Sequence, residues 1–387
     1  MVNILYIGDP NSIHDIKWMT FFSSQKEKYN CFLLTREVQY SFFFKKSDAN
    51  SFLMEHGIVL VGFLHDFSIV NLFKTLKSVY LIKKLIIEKK IDLIHIFYAN
   101  PNALWAVARG IFKVPLLITT RGTDILIDIP KFSGYSSLLK SVLFFLYNRA
   151  FRGADAVVCT SARQVEFVKK LFNKENTYTI RTGVDVDSIF SFQSSNNFSY
   201  LVGKKIILFP RLMHPIYNHQ FCLNSIALLD KEMKKSIVFI FIGKDGSDQL
   251  YSLEILKKLE LMDGISYHFF NSLSVDEMFT LYTLSNLIVM TPFSDGTPNS
   301  ALEAMLFRKR VILGPVAYDE DLFNKNTVYK LKSFDPIELK NLIELLISEQ
   351  NDILINNAYE AVMNFGNRKI EMNKVQKVYR SLIGSNH

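Results

Sequence analysis

The chain reads as an α/β protein of two domains, each a parallel sheet with helices on both faces. Three observations lead there. Short apolar, β-rich runs alternate with helical stretches along most of the length, the pattern of strand–helix–strand units. At 387 residues the chain is long enough for two domains that each bury a core. One break interrupts the alternation: at residues 187–203, Ser, Asn and Gly crowd around Phe, as in an interdomain linker. The expected domains are residues 1–186 and 204–367, with 368–387 a closing helix that packs back on the first.

In the first half, strands are expected at 2–8, 30–35, 91–97, 114–120 and 154–159, with helices at 16–28, 72–90, 136–150 and 162–171. In the second, strands are expected at 205–210, 237–242, 265–269, 286–290 and 310–313, with helices at 219–233, 249–261, 275–284 and 300–307. The last of these is rich in Ala, Leu, Glu and Met, all strong helix formers. Parallel sheets bind ligands beyond the carboxyl ends of their strands, so two such domains in tandem are expected to face each other across a cleft. The sequence shows no internal repeat and no low-complexity tract.

With 49% apolar and 21% charged residues, the composition excludes a disordered chain. Cys31, Cys159 and Cys222 are scattered, form no metal spacing and suggest a reducing compartment. Residues 1–8 lack the charged start and apolar stretch of a signal peptide. No run approaches the roughly 20 apolar residues that span a bilayer. The nearest, 58–73, is broken by His65, Asp66 and Asn71. A cytoplasmic protein is expected.

The net charge of +8 is unevenly placed: residues 1–190 hold 24 Lys and Arg against 16 Asp and Glu, and residues 191–387 hold 21 of each. No nucleic-acid module accompanies this excess, so nucleic acid is not an expected partner. Two clusters fit an anionic membrane surface better. Phe42, Phe43 and Phe44 stand beside Lys45 and Lys46, and residues 74–90 carry six lysines among Leu, Ile, Val and Tyr.

The most informative stretch is 293–305. Gly296, Thr297 and Pro298 make a loop, and Asn299, Ser300 and Ala301 open a helix. The free N–H groups of that first turn form a seat for a phosphate. Glu303, about one turn in, reaches a sugar hydroxyl attached to that phosphate, and Asp295 takes hydroxyls of a second ring. An anion seat between two hydroxyl-binding carboxylates suits a nucleotide-sugar.

This stretch, with two carboxylates eight residues apart around Gly-Thr-Pro-Asn-Ser and Leu-Glu-Ala-Met, resembles the signature of glycosyltransferase family 4. Further strings match in order: Asn11, Ser12, Ile13 and His14 after the first strand, Asp92 to Ile96, Ala154 to Ser161, and Arg181 to Asp185. Together they extend the resemblance over nearly the whole chain. It implies a GT-B architecture of two Rossmann-like domains. It also implies sugar transfer from a nucleotide-sugar with retention of configuration, no required metal and no other cofactor. Glu303 is then the ribose ligand, Asp295 the donor-sugar ligand and Arg211 the partner of the pyrophosphate, well suited to bidentate recognition.

The chain departs from the family at two places. The lysine normally found five or six residues after Arg211 is absent. Ile216 and Tyr217 stand there, and Asn218 or Lys244 are the candidate replacements. Arg121 occupies the position of a His that faces the donor sugar. An always-charged Arg is no base at neutral pH, so its implied role is electrostatic or acceptor-binding. Asp124 either orients the acceptor hydroxyl or pairs with Arg121. Gly8, Asn11, His14 and His95 complete the implied acceptor side. His14 is read there as capping or orienting its loop, and His95, on an apolar strand, as a hydrogen-bonded structural residue.

The expected acceptor is a glycan or lipid-linked glycan, as in capsule, O-antigen or lipopolysaccharide synthesis, at the cytosolic membrane face. A non-catalytic sugar-nucleotide binder and a nucleotide-sugar 2-epimerase are the alternatives.

Overall fold

The computed structural model describes residues 1–37, 46–132, 138–243, 248–271, 273–348 and 353–384, with the backbone alone for 46–50. It divides into two compact units, Met1–Thr182 with Glu371–His387, and Gly183–Ile370.

The first unit is built on a seven-stranded sheet in the order β3-β2-β1-β4-β5-β6-β7. Its strands are β1 (Val2–Ile7), β2 (Tyr29–Arg36), β3 (Ile58–Leu64), β4 (Leu93–Phe97), β5 (Leu116–Thr120), β6 (Ala156–Cys159) and β7 (Thr177–Thr179). All neighbours are parallel. Both faces of β1 are covered, which is why its sequence is nearly continuous in apolar residues. Leu5 and Ile7 join a core with Ile82, Leu85 and Phe151. Ile4 and Tyr6 point the other way, toward Trp18, Phe22, Met372 and Tyr379. The last helix, Arg368–Gly384, thus gives the first unit part of its core.

The second unit carries a six-stranded sheet in the order β10-β9-β8-β11-β12-β13. Its strands are β8 (Lys205–Phe209), β9 (Ile237–Ile242), β10 (Ser266–Phe270), β11 (Leu287–Met290), β12 (Arg310–Leu313) and β13 (Tyr329–Lys330), again all parallel. In each unit the chain reverses its direction of winding once, between β1 and β4 and between β8 and β11. Ligands in such sheets collect outside the strand ends at that switch point.

The stretch 187–203, expected as a linker, is part of the second unit instead. Asp185 caps a helix at Val186–Ser191 by accepting the Ser188 N–H at 3.2 Å. Val186, Ile189, Phe198 and Leu201 are buried in its core. The helix expected at 219–233 is two, His219–Ala227 and Lys231–Ser236, because the Asp230 side chain accepts the Met233 N–H at 2.7 Å and starts a new helix. Strands β3, β7 and β13 and the helices Pro336–Leu346 and Ile353–Phe365 were not anticipated. No described helix is long and apolar enough to cross a membrane. Residues 38–45, which include Phe42 to Lys45 of the first expected membrane cluster, lie outside the described residues.

Candidate active site

In the second unit, β8 and β11 are parallel neighbours, so the loops that follow them emerge side by side. Arg211 comes from the first and Asp295 from the second. They meet as an ion pair, Arg211 Nη2 to Asp295 Oδ2 at 3.0 Å, with only 18% and 15% of the side chains exposed. The Phe293 N–H donates to the Ile216 carbonyl at 2.8 Å and ties the two loops together. The guanidinium lies 4.1 Å from the centre of the Tyr217 ring. Burial works against the Arg211 charge, but the Asp295 carboxylate and then Tyr217 overcome it, so its pKa is raised. Where the family resemblance leads one to expect a lysine, Tyr217 supplies a stacking face.

His219 fixes this arginine from behind. Its Nε2–H donates to the Arg211 carbonyl at 3.1 Å, which sets the tautomer. The ring is 2% exposed, and burial lowers its pKa to about 4, so it stays neutral near pH 7. Asn218 joins the Pro215–Tyr217 turn to the following helix with a φ of +54°, a left-handed conformation that Asn tolerates. Its side chain does not cap that helix.

The 293–298 loop is braced from β12's side. The Thr297 hydroxyl donates to Asp319 Oδ2 at 2.6 Å, and the Asp319 N–H donates to the Gly296 carbonyl at 3.3 Å. The Gly296 N–H donates to Asp295 Oδ1 at 2.8 Å. The helix Asn299–Leu306 then starts at Pro298 with no side chain capping it. Ala301, Leu302, Ala304 and Met305 anchor it in the core. Glu303 receives a hydrogen bond from the Tyr282 hydroxyl at 3.2 Å. Burial, then the Glu303 charge, holds that phenol well above its usual pKa, so it remains a donor. Arg368 also feels Glu303. Burial pulls its pKa down, partly offset by Asp185, bonded at 3.3 Å, and by Glu303.

Of the donor residues expected from sequence, the second unit brings Arg211 and Asp295 into contact, and places Gly296 to Ala301 and Glu303 along one loop and helix. Lys244 lies outside the described residues. Tyr217, His219, Tyr282, Asp319 and Arg368 were missed. Only Tyr217 had a signal, as the residue at a lysine position.

In the first unit, the loops after β1, β4 and β5 converge around a buried ion pair. Arg121 Nη2 lies 2.9 Å from Asp15 Oδ1, with side chains 8% and 2% exposed. The guanidinium also sits 4.9 Å from the Trp18 ring and 5.1 Å from Phe97, and donates to the Thr182 hydroxyl at 3.3 Å. Burial lifts the pKa of Asp15 and lowers that of Arg121, each resisted by the other's charge. Gly8 makes this packing possible: a Cβ there would come within 3.0 Å of both Asp15 Oδ2 and Phe97. The close approach at Gly8 is therefore to the protein's own carboxylate. Asn11 donates its N–H and its side-chain amide to Asp9 Oδ1, and His14 lies exposed in the first turn of the helix Ile13–Ser23.

Two residues placed on the acceptor side are occupied by the protein itself: Asp124 orders its own loop, and His95 is the hydrogen-bonded structural residue its apolar strand suggests. Asp124 is fully enclosed, and its oxygens accept the backbone N–H groups of Ala99, Arg121, Gly122 and Ile125 at 2.7–3.1 Å. Its carboxylate organises the 121–125 loop, both oxygens being taken by backbone N–H groups rather than by the Arg121 guanidinium. His95 is likewise fully buried, bonded to the Tyr379 hydroxyl at 2.5 Å and the Thr119 hydroxyl at 2.6 Å. Burial drives its pKa well below the usual histidine value. It links β4 to the closing helix. Among the described residues, no group of three or more His, Cys, Asp or Glu could hold a metal ion.

Comparison with known proteins bears on the fold and the class of enzyme. Residues 3–161 match the protein-family model described as "Glycosyl transferase 4-like", and residues 194–361 match "Glycosyl transferases group 1". The chain is a glycosyltransferase of the GT-B type. The two matches fall in the first and second units respectively. No curated protein sequence matches it.

Among solved structures, a glycosyltransferase from Rickettsia africae aligns with a TM-score of 0.77 at 15% identity, over 99% of this chain and 98% of that one. HepE from Anabaena, in complex with UDP, aligns at 0.74 and 16%, over 98% and 100%. Sucrose-phosphate synthase from Thermosynechococcus elongatus aligns at 0.74 and 16%, over the full length of both. At these identities the likeness is one of fold.

Proposed function

We propose that the protein moves one sugar from a nucleotide-sugar, seated in the second unit, to a glycan or lipid-linked glycan at the inner face of the cell membrane. Anomeric configuration is retained and no metal takes part. The observation that carries this reading is the Arg211–Asp295 pair at the switch point of the second sheet, next to the uncapped helix that presents Glu303. A diphosphate set against that helix end draws on the N–H groups of its first turn and on Arg211. Arg211 then leaves Asp295 for the phosphate, and Asp295 is released to accept hydroxyls of the donor sugar. Glu303, held by Tyr282, accepts from the ribose. HepE, of similar fold, holds UDP, which favours this use of the site.

The chemistry assigned to these residues is stabilisation of the departing diphosphate. Arg211 and the helix end take up its charge, and the phosphate itself receives the acceptor proton on the face from which it leaves. Asn218 and Lys244 are assigned to the donor phosphates. Arg121, Asn11 and His14 are assigned to the acceptor side, with Gly8 only making room for the Asp15 carboxylate that holds Arg121.

A transfer assay tests this. The purified protein is incubated with isotope-labelled nucleotide-sugars and a lipid extract, and the product's anomeric configuration is read by NMR. The expected result is a glycosylated product that keeps the donor's configuration, and about tenfold to a hundredfold less of it with Glu303→Ala, which loses a charge-assisted hydrogen bond to the ribose. Donor binding without transfer to any acceptor would favour a non-catalytic binder, and conversion of donor without acceptor an epimerase.

A further inference from the structure

The helix Leu72–Glu88 is apolar on two opposite sides. Ile82 and Leu85 face the core of the first unit. On the outside, Leu72, Leu76, Tyr80 and Ile87 fall at i, i+4, i+8 and i+15, which at 3.6 residues per turn is a single stripe. Phe73 lies beside it. These five side chains are 60–77% exposed. A surface helix of a soluble protein normally turns a polar face to water, and a contiguous exposed apolar patch marks an interaction site.

The charges around the stripe say what covers it. Lys83 sits within the stripe, at i+11, with Lys77 and Lys84 along its edge and Lys74 nearby. The helix has one acid, Glu88, which pairs with Lys84 at 3.6 Å. Lys89 and Lys90 follow directly. A second helix on the same sheet face, Leu138–Gly153, repeats the arrangement. Leu138, Leu139 and Phe145 are at least 50% exposed on it, and its charged residues, Lys140, Arg149 and Arg152, are all cations. A protein partner for such a surface would need a matching acidic rim around an apolar groove. An anionic bilayer supplies both at once, with headgroups for the lysines and an acyl boundary for the apolar stripe.

We infer that the Leu72–Glu88 helix is the membrane-docking element, lying in the plane of an anionic lipid surface with Leu72, Leu76, Tyr80 and Ile87 inserted. Its purpose rests on the proposed transfer to a lipid-linked acceptor, while its binding rests on the helix alone.

The test is vesicle co-sedimentation of the full chain. Wild type is expected to bind phosphatidylglycerol–phosphatidylcholine vesicles at low salt and to ignore pure phosphatidylcholine. The triple variant Leu76→Ser, Tyr80→Ser, Ile87→Ser changes only exposed positions and is expected to bind about a hundredfold more weakly. Lys77→Gln with Lys83→Gln removes most of the salt-sensitive part. Leu250→Ser with Leu253→Ser, at positions 81% and 63% exposed on a helix of the second unit, is expected to bind as wild type does.

Equal binding by wild type and triple variant overturns the inference, as does failure of wild type to bind anionic vesicles. A dimer seen by sedimentation for wild type and lost in the triple variant also overturns it, because a second copy would then cover the stripe. Nucleotide-induced stabilisation of the triple variant, measured in parallel, separates the two questions. If neither protein responds to any nucleotide yet wild type binds vesicles, the donor reading falls and the docking surface stands.

Discussion

Arg211→Ala is expected to weaken binding of the donor's nucleoside diphosphate by about 30-fold to several thousandfold. Truncating one partner of a desolvated charge pair costs roughly 2–5 kcal/mol, and each 1.4 kcal/mol is about tenfold. The size follows from where the arginine sits. It is largely shielded from water, stacked on Tyr217 and 3.0 Å from Asp295. Removing it leaves Asp295 enclosed without its cation and leaves the diphosphate facing that carboxylate. Arg211→Lys keeps a charge but loses the planar fork and the stacking, so it should fall between alanine and wild type. Calorimetric titration with the nucleoside diphosphate that binds wild type measures both. An alanine variant within about threefold of wild type would remove Arg211 from the phosphate role.

The largest loss of stability is expected from Gly183→Ala. Gly183 has a φ of +64°, and an ideal Cβ there would lie 2.7 Å from the Gly366 carbonyl oxygen and 2.8 Å from the Arg368 nitrogen. Both are backbone atoms, so no side chain can turn away to make room. The two segments are also bonded to each other, Val184 N–H to Gly366 at 2.9 Å and Arg368 N–H to Val184 at 2.9 Å. Separating them forfeits two hydrogen bonds at about 1 kcal/mol each. A left-handed alanine adds about 1–2 kcal/mol. The sum, about 3–4 kcal/mol, corresponds to a fall of roughly 10 °C for a unit of this size.

Gly203→Ala is the internal control. Its φ is +79°, but nothing lies within 4 Å of the added carbon, so only the conformational cost applies. Scanning calorimetry of the two variants should therefore differ by about 2 kcal/mol. Equal destabilisation would mean that the packing of 183 against 366–368 contributes nothing. The same region carries Arg368, which senses Glu303, so reduced donor affinity is expected to accompany the lower melting temperature.

The central strands were legible because burial on both faces leaves continuous apolar runs, as in Ile237–Ile242. The edge strands were not. β3 is half exposed and sits in a run first weighed as a possible span, while β7 and β13 are three and two residues long. The stretch 187–203 misled because its Ser and Asn residues read as loop, although Asp185 ahead of Val186 is a helix start signal and Phe198 and Leu201 are core.

At the candidate site, the loop and helix start at 295–303 were readable as an anion seat flanked by carboxylates, whereas Arg211 was reached through the family resemblance. Asp15, Trp18 and Thr182 could not be found in either way, since they are partners of Arg121 brought from 106, 103 and 61 residues away by the fold. His95 and Asp124 show the reverse limit. His95 lies on an apolar strand and reads as structural, but its partners, and the backbone N–H groups that take both Asp124 oxygens, are visible only in the structure.

The most direct measurement is a thermal-shift and calorimetry panel of UDP, GDP, ADP, CMP and their sugars on wild type and on Glu303→Ala. A ligand at 100 times its dissociation constant adds about 2.7 kcal/mol of stability, which is easily seen. The account predicts that one nucleotide and its sugars stabilise wild type and that Glu303→Ala abolishes the response. Stabilisation of neither protein by any nucleotide, or of both proteins equally, would contradict a donor seat at Arg211, Asp295 and Glu303.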